Sequence, residues 1–212
     1  MSIDYDKKLQ TYLDDLVPAR PSELQAMEMY AARHDFPIIG PASGQLCYQI
    51  TRLMGARRVF ELGSGYGYST AWFARGVQEN GGGNVYHVVW DADLSNQAKG
   101  HLSKLGFDGV VTYIVSEAVQ ALHETDGPFD LIFLDINKDA YPKSLPVIEE
   151  KLRPGGVLIV DNMLWSGRVF DKSDHSPATN AIRELTQLIT TSPDWIASLV
   201  PIRDGLIIAT KV

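Results

Sequence analysis

Two short stretches carry residue types at spacings suited to acid–base and metal chemistry. In FDLIFLDINKDAY, an apolar run from Leu131 to Leu134 ends at Asp135, and Lys138 follows three residues later. In GGVLIVDNMLWSG, a second apolar run from Val157 to Val160 ends at Asp161-Asn162, with Trp165 just beyond. Acids at the carboxyl ends of buried strands stand where open α/β sheets place their chemistry. Two carboxylates and an amide are hard oxygen donors of the kind that hold Mg²⁺, or a related cation such as Mn²⁺ or Ca²⁺, with positions left for water and substrate oxygens. Neither stretch contains Cys or His, which disfavours zinc. Either aspartate alone reads equally well as the cap of the next segment; the pair, with Asn162 and Lys138, favours a functional site.

A third stretch, RRVFELGSGYGYSTAWFA (57–74), organises the chain. Val59, Phe60 and Leu62 read as a short buried strand, Gly63, Gly65 and Gly67 as a turn, and Ala71, Trp72 and Phe73 as the start of an amphipathic helix. Such glycines let backbone approach a ligand, and the following helix offers free N–H groups. The spacing GxGxG after an acid, Glu61, differs from the GxGxxG dinucleotide fingerprint. It resembles the pattern of S-adenosylmethionine (SAM) methyltransferases.

The elements that must position these residues alternate. Strands are expected at about 57–62, 84–89, 111–116, 129–134 and 156–161, with helices at about 93–105, 117–124, 142–152 and 178–191. The last strands, about 195–201 and 205–211, have no helix between them and form a hairpin around Arg203-Asp204-Gly205. The pattern implies an α/β, doubly wound, mostly parallel seven-stranded sheet with one antiparallel strand from the C-terminal hairpin. Ahead of it lie accessory helices within residues 1–36: one over 3–16, with Leu9, Leu13 and Leu16 near one face, and one from 22, with Ser22 as its N-cap. Residues 37–45 read as a turn-rich loop before a helix holding Leu46, Ile50 and Leu53.

The 212 residues, 45% hydrophobic, suit one domain with a substantial core. A net charge of −7 and the absence of a basic stripe argue against nucleic acid or an anionic membrane as partner. The single cysteine, Cys47, excludes an internal disulfide framework. With neither an apolar signal core near the N-terminus nor a membrane-length apolar run, a cytoplasmic protein is expected.

Taken together, the motifs resemble the cation-dependent, catechol-type and caffeoyl-CoA-type O-methyltransferases over almost the whole chain. The matching residues are Glu61-Leu62-Gly63 with Gly67-Tyr68-Ser69, Asp135 with Lys138 and Tyr141, Asp161 through Gly167, and Asp204-Gly205-Leu206. The resemblance implies the Rossmann-like class I SAM methyltransferase fold and transfer of a methyl group from SAM to a catechol-like or other small phenol. Asp135, Asp161 and Asn162 would hold the metal, Lys138 would take the proton from the acceptor hydroxyl, and Trp165 would wall the ring unless it is ordinary packing. Glu61, Ser69 and the backbone of Gly63 and Ser64 would hold the methionine end of the cofactor, with Gly65, Gly67 and Asp135 also among the cofactor-binding residues; Ile39 and Ala118 match lining positions and fit equally well as core. The family's ribose-binding acid falls on Val89, whose side chain accepts no hydrogen bond; Asp91, two residues on, replaces it if the strand end bends, and otherwise the cofactor is held more weakly. A homodimer is implied too. The alternative is a SAM- or nucleotide-binding protein of the same fold with weak or no methyl transfer.

Overall fold

All seven strands join one sheet: β1 (Arg58–Leu62), β2 (Asn84–Val89), β3 (Val111–Val115), β4 (Phe129–Leu134), β5 (Leu152–Val160), β6 (Trp195–Val200) and β7 (Leu206–Lys211). The helices are α1 (Ile3–Asp15), α2 (Ser22–His34), α3 (Gly40–Leu53), α4 (Tyr68–Glu79), α5 (Ala92–Lys104), α6 (Ala118–Glu124), α7 (Tyr141–Lys151) and α8 (Pro177–Thr191). The computed structural model describes the backbone of residues 3–212 and the side chains of residues 7–212; Met1 and Ser2 of the expected accessory region lie outside the described residues.

The sheet order is β3-β2-β1-β4-β5-β7-β6. Pairings from β3 through to β5 are parallel, and β7 runs antiparallel to both β5 and β6. β7 is therefore the one strand running against the rest, as expected. The chain winds outward from β1 to β3, then returns to the other side of β1 as β4. The carboxyl ends of β1 and β4 thus flank the topological switch point, where such sheets bind ligands.

Alternation along each strand builds two apolar layers. Val59, Leu131, Phe133 and Ile159 face the layer filled by Cys47, Trp72, Phe73 and Leu102, from α3, α4 and α5. Phe60, Leu62, Ile132, Leu134, Leu158 and Val160 face Leu122, Ile148, Ile182 and Leu185, from α6, α7 and α8.

Three local expectations are corrected. The expected loop 37–45 is largely helix, because α3 already begins at Gly40, with Pro41 in its first turn, where proline's fixed φ suits a helix and its missing N–H costs nothing. Gly44 is a packing residue inside that helix: a Cβ there would lie 2.3 Å from Trp72 Nε1. Ser22 is the first residue of α2; the cap position falls on Pro21, without a side-chain hydrogen bond. β5 starts at Leu152, earlier than expected, because Leu152 pairs with Phe129 ahead of a register shift.

The accessory helices are tied to the half of the fold that carries α3, α4 and α5. Asp14 Oδ1 accepts from the Ala42 N–H (3.0 Å), so α1 supplies a cap that Ile39, at the α3 N-cap, lacks. The Tyr66 hydroxyl donates to the Met27 carbonyl (2.9 Å), and Tyr68 donates to Glu28 (2.9 Å). Glu23 meets His101 and Lys104 of α5 at 2.6 and 3.1 Å; these contacts outweigh burial and hold its carboxyl below the usual range. No helix among the described residues is long and apolar enough to cross a membrane.

Candidate active site at the carboxyl ends of β1, β4 and β5

Backbone hydrogen bonds stitch the strand ends together. The Asp135 N–H donates to the Leu62 carbonyl (2.9 Å), and the Asp161 N–H donates to the Leu134 carbonyl (3.1 Å). On the other side, the Ser64 N–H donates to the Val88 carbonyl and the Ser64 hydroxyl accepts from the Val88 N–H, both at 2.9 Å. The glycine turn and both aspartates are thereby fixed to one rigid edge.

The turn and Asp135 share a cavity. Ile39, Gly63, Ser64, Gly65, Ser69 and Asp135 line it, together with Phe36, Pro37 and Ile38. Its volume is about 30 Å³, the space of about one water. Gly67 faces elsewhere, as the N-cap of α4 against Ala98 of α5. Gly63 adopts φ +92°, and a Cβ there would lie 2.0 Å from the Asp135 carbonyl oxygen. Gly63→Ala is therefore expected to cost roughly 3–5 kcal/mol, read as a lower urea midpoint, because it adds a backbone clash to a left-handed conformation.

Glu61 lies fully buried beneath this turn, with Oε1 lacking a hydrogen-bond partner. Burial pushes its carboxyl up to about 7, against the opposing pull of the Ser69, Thr70 and Ser64 hydroxyls. Its folded-state pKa is thus above the ordinary 4.5, and between those values the folded chain holds a proton that the unfolded chain has released. Stability should fall by roughly 3 kcal/mol as pH rises from about 4.5 to about 7. Glu61→Gln should flatten that part of the profile in thermal unfolding measured across pH; an unchanged slope would assign it to other groups.

The second half of the site centres on Lys138, whose side chain is 9% exposed. Its Nζ donates to Asp135 Oδ1 and to the Tyr141 hydroxyl, both at 2.8 Å, and Tyr141 donates onward to the Asp161 carbonyl (3.0 Å). Asp161 is 2% exposed; its Oδ1 has no partner, and its Oδ2 lies 3.8 Å from Arg203 Nη1. Burial first, then the nearby Asp135, pushes its carboxyl up to about 7, while Arg203 opposes the shift. Asn162, at φ +61°, donates through Nδ2 to Asp204 Oδ2 (3.2 Å), leaving its amide oxygen available. Asp204 Oδ1 also accepts from the Ser166 N–H (2.6 Å), and its carbonyl accepts from Leu164 (2.7 Å). A buried carboxylate oxygen without a partner, beside a second carboxylate and an amide oxygen, is the donor chemistry that a hard divalent cation fits. Among the described residues, no group of three or more His, Cys, Asp or Glu side chains is placed to hold a metal ion, and the set here consists of two carboxylates and an amide.

Trp165 is half-buried, not on an exposed loop tip. It opens a 3₁₀ turn over Trp165–Phe170, and its ring centre lies 6.0 Å from Lys138 Nζ and 5.7 Å from the Arg168 guanidinium. The segment beyond it is held by Arg183, whose guanidinium donates to the carbonyls of Arg168, Asp171 and Asp174. Ala118 is buried at the start of α6 and Asp91 is exposed; neither lines the cavity. Asp91 Oδ1 caps α5, accepting from Asp93 and Leu94 N–H at 2.8 and 3.1 Å, and Val89 is buried. Sequence reading assigned no role to Tyr141, Asp204 or Arg203. The DGL motif signalled Asp204, but its hold on Asn162 depends on the hairpin folding back across β5.

Similarity to known proteins follows the same architecture. The profile of the O-methyltransferase family matches residues 20–212. A catechol O-methyltransferase of Niastella koreensis is 27% identical over 209 residues, covering 93% of this chain and 94% of its own. An O-methyltransferase from Bacillus cereus, solved in complex with SAH, superposes with a TM-score of 0.88 at 26% identity, covering 100% of both chains. TomG from Streptomyces achromogenes, an O-methyltransferase involved in tomaymycin synthesis and solved with SAM, gives a TM-score of 0.88 at 24% identity, over 100% of this chain and 99% of its own, a likeness of fold. The family profile spans the glycine turn, both aspartate-ended strands and the closing hairpin, so the chain belongs to the O-methyltransferase family.

Proposed function

We propose that this protein transfers the methyl group of SAM to a hydroxyl of a catechol-like or other small phenol, with a divalent cation, Mg²⁺ or a related ion, held by Asp135, Asp161 and Asn162. The observation that carries this reading is the cluster of Lys138, Asp135 and Asp161, tied through Tyr141 and sharing Asp135 with the glycine-lined cavity.

In this reading the glycine turn receives the methionine end of SAM, with Ser64, Ser69 and Glu61 around it. Its ribose would meet Asp91 Oδ2, which has no hydrogen bond among the described residues. A cation bound by Asp135, Asp161 and Asn162 would lower the pKa of the acceptor phenol and orient its oxygens. Lys138 takes the acceptor's hydroxyl proton. The oxygen then bonds to the methyl carbon as the carbon–sulfur bond breaks, and its electron pair stays on sulfur, leaving a thioether. No covalent enzyme intermediate is needed, so positioning supplies most of the acceleration. Trp165 and the Phe36–Ile38 segment supply apolar walls for an aromatic ring.

The lone buried thiol of Cys47 suits a reducing cytoplasmic setting. Exposed Leu9 and Tyr12 on α1, with Leu16 just beyond its end, offer an apolar surface for a second copy. A monomeric mass in light scattering would remove the dimer.

The test is calorimetric titration of SAM, with and without Mg²⁺ and a simple catechol. SAM binding, with catechol binding only when metal is present, is the expected result. SAM binding with no turnover across a broad phenol panel would favour a binding protein without methyl transfer, a reading motivated by the buried Val89 where the family carries its ribose acid.

A further inference from the structure

One fully buried titratable side chain has no part in this mechanism. His87 sits in the middle of β2, 0% exposed, with Nε2 lacking any hydrogen-bond partner. Its Nδ1 lies 3.0 Å from the Thr70 hydroxyl, and the same hydroxyl is hydrogen-bonded to Glu61 Oε2. Thr70 is itself fully buried, in the first turn of α4. A chain of three buried groups therefore runs from the interior of the sheet to the carboxylate beneath the glycine turn.

A threonine hydroxyl has one hydrogen, so the direction of its bond to Glu61 fixes the tautomer of His87. While Oε2 carries no proton, Thr70 donates to it, and the Thr70 oxygen must accept from His87; the imidazole is then the Nδ1–H tautomer, with a bare Nε2. If Oε2 itself carries a proton, it donates to Thr70, Thr70 donates to Nδ1, and the imidazole is the Nε2–H tautomer. His87 stays uncharged in either case, since burial and the nearby Lys99 drive its pKa down to about 3.

We propose that Thr70 and His87 are positioning residues for Glu61, locking its Oε2 from below so that Oε1 is presented to the cationic ammonium group of the bound cofactor. The inference rests on the reading that Glu61 receives the methionine end of SAM. Oε1 is the buried acceptor without a partner, and the Ser64 and Ser69 hydroxyls beside Glu61 also line the cavity above it. A carboxylate fixed before binding loses less rotational freedom when it pairs, which is how preorganised sites gain affinity. The hydroxyl bond also favours the ionised form, which an ammonium ligand needs. The other ionisable groups facing this chain are Asp135 at the end of β4 and Cys47 of α3 near Glu61, and Tyr113 of β3 and Lys99 of α5 near His87.

The experiment uses the intact protein with SAM, and with S-adenosylhomocysteine as a non-reacting probe that has the same ammonium group. Thr70→Val keeps the shape but deletes the hydroxyl; Thr70→Ser restores it. Dissociation constants would be measured from pH 6 to 9 by calorimetry, and the His87 ring nitrogens observed by ¹⁵N NMR in the wild-type complex. Thr70→Val is expected to weaken binding about tenfold at pH 7 and to move the pH midpoint for binding upward. Thr70→Ser should track the wild type, and the His87 resonance in the complex at pH 8 should report the Nδ1–H tautomer. Equal affinity and an unmoved midpoint in Thr70→Val, or an Nε2–H tautomer in the wild-type complex, overturns the proposal. The NMR measurement decides it even if Thr70→Val does not fold. If the wild type binds neither ligand, it is the cofactor reading that falls.

Discussion

Lys138→Met is expected to reduce kcat by roughly 10²- to 10⁴-fold, the usual contribution of a positioned general base. SAM affinity should change little, because Lys138 does not line the glycine-turn cavity. Lys138→Arg should fail almost as badly. A guanidinium preserves the positive charge beside Asp135 but does not deprotonate, so it cannot accept the acceptor's proton. This separates a base from an electrostatic prop: near-wild-type kcat in Lys138→Arg, from single-turnover measurements at saturating SAM, would show that only the charge matters. The conservative change is the informative one because the Nζ–Asp135 and Nζ–Tyr141 contacts, both 2.8 Å, also hold the site together.

Asp161→Asn should abolish saturable Mg²⁺ binding and lower turnover by at least about a hundredfold, by removing a charged oxygen donor from the expected metal set. The same change should leave the metal-free fold intact, or stabilise it above pH 7. There the native carboxylate is buried at 2% exposure, with Asp135 nearby and only a 3.8 Å contact to Arg203. An asparagine of the same shape brings no charge to bury. Loss of activity together with an unchanged or raised Tm at pH 8 would separate a functional from a structural role. Turnover by Asp161→Asn at the wild-type rate, with a chelator present, would falsify metal dependence.

The local chemistry of the site was legible because it is written in contiguous motifs. Asp135, Asp161 and Asn162 each follow an apolar run that can only be a buried strand, and the three glycines each follow a strand or precede a helix. In a parallel sheet, that reading places all of them on one edge. The alternation of elements likewise implied the doubly wound sheet, and the missing helix before the last strand implied the single antiparallel one.

Other features depend on contacts between residues far apart in the chain. Local turn propensity suggested a loop over 37–45, yet α3 begins at Gly40, where Asp14 on a preceding helix provides its cap. Gly44 lies inside that helix, where its missing Cβ makes room for the Trp72 ring. Tyr141 and Asp204 tie the second aspartate and its asparagine to Lys138 and to the hairpin, across 20 and 42 residues of chain. The hydrogen-bonded line from His87 through Thr70 to Glu61 requires β1, β2 and α4 packed together. The sequence by itself determined which residues could do chemistry and on which strand ends they stand, because strand periodicity and glycine spacing are local properties. Only the tertiary structure decided which polar atoms were left without partners, since burial and hydrogen-bond satisfaction are set by neighbours that the chain brings in from a distance.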